Sequence, residues 1–505
     1  MALSTRPDDA SAPAADIFGF DPSYARLPER FYARIGPTPV TAPDLLHLNR
    51  PLAAHLGLDA DTLASEEGVE VLAGNRVPAS AAPVAMAYAG HQFGNWVPQL
   101  GDGRAVLLGE LIDREGVRRD VQLKGSGRTP FSRMGDGRAE LFPVIAEYLG
   151  SEGMAGLGVP TTRALAMALT GETVRRNDFL PGGVLTRVAT SHVRVGTFEY
   201  FARAGDQEAV RTLADYVIDR HDPELRGADK PYRGLLEAIA RRTAELIANW
   251  MAVGFIHGVL NTDNISVAGE TLDYGPFAWM DDYHPAQCFS QVDLGGRYAY
   301  NQQPDIGQWN LCRLAETLLP LLADDPEEAK AEAYAALDTY IPAFEAAFHP
   351  KLRRKVGLAT ARDGDIELIQ DLFTRMAENG ADFTLTFRRL ADASGIDDSN
   401  DEPVRALFAD PAAFDAWAAQ WRARLAAEDR DDAARRADMR AANPAYVLRK
   451  HHVYAVYSAV RAGDHAPLDE LLTVLRDPFA DHPERASWAQ PPEPREHVPM
   501  TFCGT

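Results

Sequence analysis

Apolar positions along the chain change rhythm partway through. Arg104-Ala-Val-Leu-Leu-Gly-Glu-Leu-Ile follows a Gly101-Asp-Gly103 turn, and Val121-Gln-Leu-Lys124 alternates apolar with polar before stopping at Gly125, so both runs predict strands. Leu141, Ile145 and Leu149 then recur at helical spacing, with Pro143 tolerable in the first turn and Glu147 toward the end of that helix. Val184-Leu-Thr-Arg187-Val-Ala and Val193-Arg194-Val predict further strands. From about Leu213 the spacing is helical, through Leu235–Trp250, Trp309–Leu322, Glu327–Ala347, Ile366–Met376, Ala412–Ala426 and Asn443–Leu475. Upstream, prolines punctuate residues 18–60, predicting an extended wrap that ends in a short helix near Leu45–Leu56. Residues 84–99 mix small and aromatic side chains and suggest no mechanism. The charged run 428–440 reads as a solvated helix or linker, and a Pro-rich stretch, 477–499, closes the chain. The pattern predicts an α+β protein, with a mixed β/α first part and a mostly helical remainder.

Composition narrows the functional classes. The 505 residues are 46% hydrophobic and 25% charged, which supports a sizeable core divided into two or three subregions. The formal charge of −22 repels nucleic acid and anionic membrane, so neither is expected as a partner, and phosphate binding requires a local basic island. Cys288, Cys312 and Cys503 are too few and too scattered for a disulfide framework, which fits a reducing compartment. No run approaches the roughly 18 apolar residues of a membrane span. The first 17 residues, rich in Ala, Pro and Ser with Asp8, Asp9 and Asp16, read as a disordered lead-in, and cytoplasm is the expected location.

The chemistry concentrates in His257-Gly-Val-Leu-Asn-Thr-Asp263-Asn264, followed by Asp273-Tyr-Gly275. Asp263, Asn264 and Asp273 are hard oxygen donors of the kind Mg²⁺ takes while it also holds substrate phosphates. An Asn and an Asp about ten residues apart across a hairpin is how protein kinases hold their metals. His257 and Asn264 keep the interval between a kinase catalytic-loop His and its metal Asn, but Val259 stands where the kinase base would be. The metal site is kept and the base is moved. His257 itself reads as a structural hydrogen-bonding residue. Upstream, Lys124-Gly-Ser-Gly-Arg128-Thr-Pro-Phe-Ser-Arg133-Met-Gly-Asp136-Gly137-Arg138 interleaves cations and glycines as a phosphate cradle requires. Gly101-Asp-Gly103-Arg104 alone reads as a hairpin turn, Lys124 alone as an edge lysine, and Glu147 alone as an exposed helical glutamate. Their order, with Gly loop, strand Lys, helix Glu, loop Asn and turn Asp, follows that of kinase parts.

These residues resemble the selenoprotein O family, protein-adenylylating pseudokinases. The resemblance runs through Ser23-Tyr-Ala-Arg-Leu-Pro, Tyr88-Ala-Gly-His-Gln-Phe-Gly-Asn-Trp, Gln99-Leu-Gly-Asp-Gly-Arg-Ala, Leu123-Lys-Gly-Ser-Gly-Arg-Thr-Pro-Phe-Ser-Arg, His257-Gly-Val-Leu-Asn-Thr-Asp-Asn and Asp273-Tyr-Gly-Pro-Phe. It implies a kinase-like bilobal fold with N- and C-terminal extensions, binding ATP in a flipped orientation and transferring AMP to hydroxyl side chains of proteins. By position, Lys124 and Glu147 are similar to the family's ion pair, and Gly101, Gly103, Arg104, Asp136, Gly137, Arg187 and Arg194 to its nucleotide contacts. Asp263 is similar to its proposed general base, and Asn264 and Asp273 to its ligands for Mg²⁺ or Mn²⁺. Many members end in Cys-x-x-selenocysteine or Cys-x-x-Cys, whereas this chain has the lone Cys503.

The domains implied are a lead-in (1–17), an N-terminal extension with the N-lobe (18–200), a helical C-lobe (201–440) and a C-terminal extension (441–505). The expected partners are ATP and proteins offering hydroxyl acceptors, including the chain itself. Rival readings are UMP transfer from UTP with Mn²⁺, γ-phosphoryl transfer with Asp263 as base, and a non-catalytic nucleotide-binding scaffold.

Overall fold

The computed structural model describes residues 16–498, so most of the expected lead-in, and Cys503, lie outside the described residues. Its contacts divide the chain into two compact units. The first comprises the described part of Met1–Ala87 with Gly101–Val144 and Ala164–Thr190, and the second comprises Tyr88–Leu100, Ile145–Arg163 and the described part of Ser191–Thr505.

The first unit is built on one eight-stranded sheet. Arg118–Lys124 is a central strand, paired antiparallel with Ala105–Ile112 on one side and Phe179–Ala189 on the other. One sheet face packs Val106, Leu108, Val121, Leu123, Leu165, Val184 and Val188 into a core shared with Leu52, Leu56, Leu63, Val71 and Leu72. Those last five come from three short helices, Arg50–His55, Ala60–Ala64 and Glu66–Leu72, with Leu56 the residue that caps the first. The helix expected near Leu45–Leu56 is therefore two elements. Asp44–Leu48 is a strand paired with Arg163–Arg175, and the helix starts only at Arg50. The Asn49 side chain accepts from the Leu52 N–H and Pro51 occupies the first turn, a start signal that the continuous run of leucines obscures.

The second unit is mostly helical. Pro231–Ala252 is its longest helix, with Pro231 in the first turn and Gly254, at φ +71°, just past its end. It buries Leu235, Ile239, Ile247 and Trp250 and packs against Gln303–Leu322, Pro326–Leu337 and Tyr340–Lys355. Gly307 makes that packing close, since a Cβ there would lie 2.3 Å from Ile247 Cδ1 and 2.5 Å from the Tyr340 hydroxyl. The predicted helix 327–347 divides at Asp338 and Thr339, where Pro326–Leu337 ends and Tyr340–Lys355 begins. The charged run contains a helix, Asp432–Ala442. Among the described residues no helix is long and apolar enough to cross a membrane.

Val193–Val195 is not a strand of the sheet. Arg194 is extended, with Val193 and Val195 exchanging backbone hydrogen bonds with Val267 and Ile265, and a helix, Val195–Arg203, begins at once. The β-branched alternation reports a short bridge, and that bridge carries Arg194 to the Asp263 loop.

Candidate active site

In the first unit, Lys124 ends its strand opposite Ala105 and Leu185 and is buried, unlike a solvated edge lysine. Two residues earlier, Gln122 sits opposite Arg187 and accepts from its guanidinium at 2.5 Å. Gln122 in turn donates to the Asp102 carboxylate at 3.0 Å, which also accepts from the Met86 N–H at 3.1 Å. The buried Arg187 is thus fixed by a chain of polar groups rooted in the Gly101-Asp-Gly turn. That turn is clamped from the other side. Thr129 Oγ1 donates to the Asp102 carbonyl at 2.6 Å, and Ser132 Oγ donates to that of Gly103. A Cβ on Gly101 would lie 2.3 Å from the Phe131 ring, so the glycine is required by loop-on-loop packing as well as by its φ of +67°.

The basic island is more structured than a flexible charged loop. Gly127 donates to the Gly137 carbonyl, and a Cβ on Gly137 would lie 2.1 Å from the Gly127 carbonyl oxygen, so the two ends of the loop touch backbone to backbone. Arg138 is held by the Thr38 and Pro39 carbonyls and an ion pair with Glu172. Asp136 takes both terminal nitrogens of Arg176. Burial pushes its carboxyl up, but Arg176 and the Arg138 N–H outweigh that and hold it below the usual range. Arg128 and Arg133 are exposed and make no ion pair among the described residues, so they are the island's available cations. Arg104 is half-buried.

Glu147 is buried near the middle of the helix Leu141–Gly156, rather than toward its end or exposed.

In the second unit, Thr262–Asn264 forms a single 3₁₀ turn with Asp263 buried in it. Asp263 Oδ2 accepts from Gln92 Nε2 at 3.1 Å, while Oδ1 has no hydrogen-bond partner among the described residues. Burial raises this carboxyl to about 6, against the opposing pull of Gln92 and Arg194. A carboxylic acid held near neutrality in a buried loop suits general-base work. Next to it, Asn264 Nδ2 donates to the Val259 carbonyl at 2.8 Å, and its side-chain oxygen makes no hydrogen bond among the described residues. Val259, where a kinase would carry its base, instead supplies the carbonyl that orients the amide.

Asp273 follows a bridge between Ile265 and Thr271 and has φ +60°, a left-handed conformation that an Asp tolerates better than most side chains. One guanidinium nitrogen of Arg194 donates both to the Asp263 carbonyl and to Asp273 Oδ2, each at 2.8 Å. Arg194 is 1% exposed and lies 4.3 Å above the Tyr88 ring. It locks the two acidic turns to each other. His257 does likewise through Nε2, which donates to the Leu272 carbonyl at 2.8 Å; burial lowers its pKa, and it is a structural residue as expected.

Residues 84–99, unassigned from sequence, supply the frame of the loop. Strands Gly90–Gln92 and Asn95–Val97 form a hairpin. The His91 N–H donates to Thr262 Oγ1 at 2.7 Å, and the Phe93 N–H to Asn261 Oδ1 at 3.1 Å. His91 Nδ1 lies 2.5 Å from Glu199 Oε1, and burial pushes that glutamate up to about 7. Tyr298 adds a hydrogen bond to Asn261 Oδ1. A polar Gln92 within a small and aromatic run was the available sequence signal.

No group of three or more His, Cys, Asp or Glu side chains able to hold a metal occurs among the described residues. The donor set here is sparser, one carboxamide oxygen and one carboxylate. That suits Mg²⁺, which binds through one or two protein oxygens and completes its octahedron with water and phosphate.

Asp263 and Asn264 thus share one turn, with Asp273 tied to it through Arg194, and the sequence comparisons define the class of protein as a nucleotidyltransferase. Residues 17–476 match the family model described as protein adenylyltransferase SelO, and the chain belongs to that family. It is 60% identical over 489 residues to the protein nucleotidyltransferase YdiU of Rhodopseudomonas palustris strain BisB18, covering 97% of this chain and 99% of that one. The proteins of the same description from Bradyrhizobium sp. strain ORS 278 and Methylorubrum extorquens strain PA1 are also 60% identical, with the same coverage.

Proposed function

We propose that the chain transfers AMP from ATP to Ser, Thr or Tyr hydroxyls of proteins, with itself among the acceptors. The observation that carries this reading is Asp263, a buried carboxyl raised to about 6, beside Asn264; among the described residues one oxygen of each side chain makes no hydrogen bond. In this reading Asp263 accepts the acceptor hydroxyl's proton as the oxygen bonds to the α-phosphorus. The bond from that phosphorus to the bridging oxygen breaks, and pyrophosphate leaves with the electron pair. Asn264 and Asp273 would hold Mg²⁺ or Mn²⁺, which supplies charge neutralisation for the phosphates. In the first unit Lys124, Arg104 and Arg187 would offer cations to the triphosphate, where a guanidinium fork suits phosphate better than an ammonium does; in the second, Arg194, buried and committed to Asp273, would act on the nucleotide only through that carboxylate. Gly101, Gly103, Asp136 and Gly137 shape the loops that bind the nucleotide. Positioning and charge stabilisation then carry the rate. Protein incubated with ATP labelled at the α-phosphate becomes labelled and Asp263→Ala does not; label arriving only from γ-labelled ATP overturns AMP transfer in favour of a kinase. Replacing ATP and Mg²⁺ by UTP and Mn²⁺ tests UMP transfer in the same assay.

A further inference from the structure

Asp263 is embraced by a hairpin distant in sequence. Three successive hairpin residues engage three successive loop residues: His91 holds Thr262, Gln92 holds Asp263 and Phe93 holds Asn261. Two of these bonds use backbone N–H groups that any residue provides. The middle one depends on the Gln92 side chain. Among the described residues it is the only side chain that donates to the Asp263 carboxylate.

The steric surroundings match this arrangement. The Asp263 side chain lies alongside Gly90, where a Cβ would stand 2.6 Å from Oδ1 and 3.0 Å from the Asp263 Cβ, and Oδ1 makes no hydrogen bond among the described residues. Rotation of the carboxylate about its last torsion is broad and roughly two-fold, and packing alone does not distinguish the two oxygens. A single N–H donor on Oδ2 does, because exchanging the oxygens or tilting the plane breaks that bond inside a buried site. The His91–Glu199 contact, the tilted Trp96 ring at 5.1 Å and the edge-on Trp309 ring at 5.5 Å from His91 hold the strand that bears Gln92.

We propose that Gln92 is a positioning residue for the transfer reaction, fixing which oxygen of Asp263 meets the acceptor hydroxyl and at what angle. This rests on Asp263 acting as the base. Gln92→Leu keeps the approximate volume and removes the donor, and Gln92→Glu keeps the shape and replaces the donor with a second carboxylate. Both should lower kcat for AMP transfer roughly 10–100-fold, the scale of a misplaced reacting group. The KM for ATP should stay near wild type, since Gln92 does not act on the nucleotide, and the melting temperature should fall only by the few degrees that one lost hydrogen bond to a buried carboxylate costs. In the Asp263→Asn background, Gln92→Leu should cost less than about twofold more, because the pair acts as a unit. A wild-type kcat in Gln92→Leu, or losses that multiply in the double variant, overturns the proposal.

The contact is also read without catalysis. In protein labelled with ¹⁵N-glutamine, the side-chain amide resonance that disappears in Gln92→Leu should shift in Asp263→Asn. A resonance that stays in place overturns the proposal. A wild type that transfers no AMP while this resonance shifts overturns the activity reading instead and leaves the contact standing.

Discussion

Gly90→Ala is the sharpest steric test of the Asp263 loop. The added methyl would stand 2.6 Å from Asp263 Oδ1 and 3.0 Å from its Cβ, where ordinary contact begins at 3.4 Å. The carboxylate must therefore retreat by about 0.8 Å, or the hairpin must lift by as much. A displacement of about 1 Å at a reacting group costs roughly 100-fold in rate. The thermodynamic effect is smaller, because overpacking costs about 1–3 kcal/mol while loss of the glycine's freedom in the unfolded chain returns about 0.4–1 kcal/mol. Transfer from α-labelled ATP should fall about 100-fold, with urea stability lowered by no more than about 2.6 kcal/mol. A variant with wild-type kcat and wild-type stability would refute the close approach of Gly90 to the carboxylate.

Other outcomes follow from the same geometry. Arg194→Met leaves Asp273 and the Asp263 carbonyl without their shared donor and should lower the unfolding free energy by roughly 3–5 kcal/mol; a urea midpoint equal to wild type contradicts this. Asp263 titrates near 6 in the folded chain against 3.8 unfolded, so folding takes up a proton between those values and the wild type loses stability as pH rises through that window. Without added Mg²⁺, Asp263→Asn should therefore exceed wild type by on the order of 2–3 kcal/mol at about pH 8 and show no such gain at about pH 4. Burial likewise drives the Lys355 ammonium, 4.3 Å above the Phe387 ring, down to about 7. Stability there falls as pH drops from the unfolded value of 10.5 toward 7, so Lys355→Met should raise the melting temperature at about pH 7 and lose that advantage near pH 10.5. An equal effect at both pH values would show that the lysine is not neutral when folded.

Local spacing determined much of this protein. Strand alternation located Ala105–Ile112 and Arg118–Lys124, helical periodicity located Pro231–Ala252 and Gln303–Leu322, and the oxygen-rich loop at 261–264 was legible because Asp, Asn and Thr crowd there between apolar runs. These signals depend on neighbours within a few residues. Tertiary structure decided everything that depends on partners far apart in sequence. The burial of Asp263 depends on a hairpin about 170 residues earlier, and no local pattern links the two segments. Arg194 looks like the middle of a strand because valines flank it, yet its neighbour Val195 opens a helix and its guanidinium is drawn to two carboxyl-bearing turns. Lys124 and Glu147 read alone as surface charges, since one letter carries no information on desolvation, and the fold buries both. Residue type sets which protons and metals a side chain can bind; burial and long-range hydrogen bonds, which only the folded chain supplies, set whether it is poised to do so.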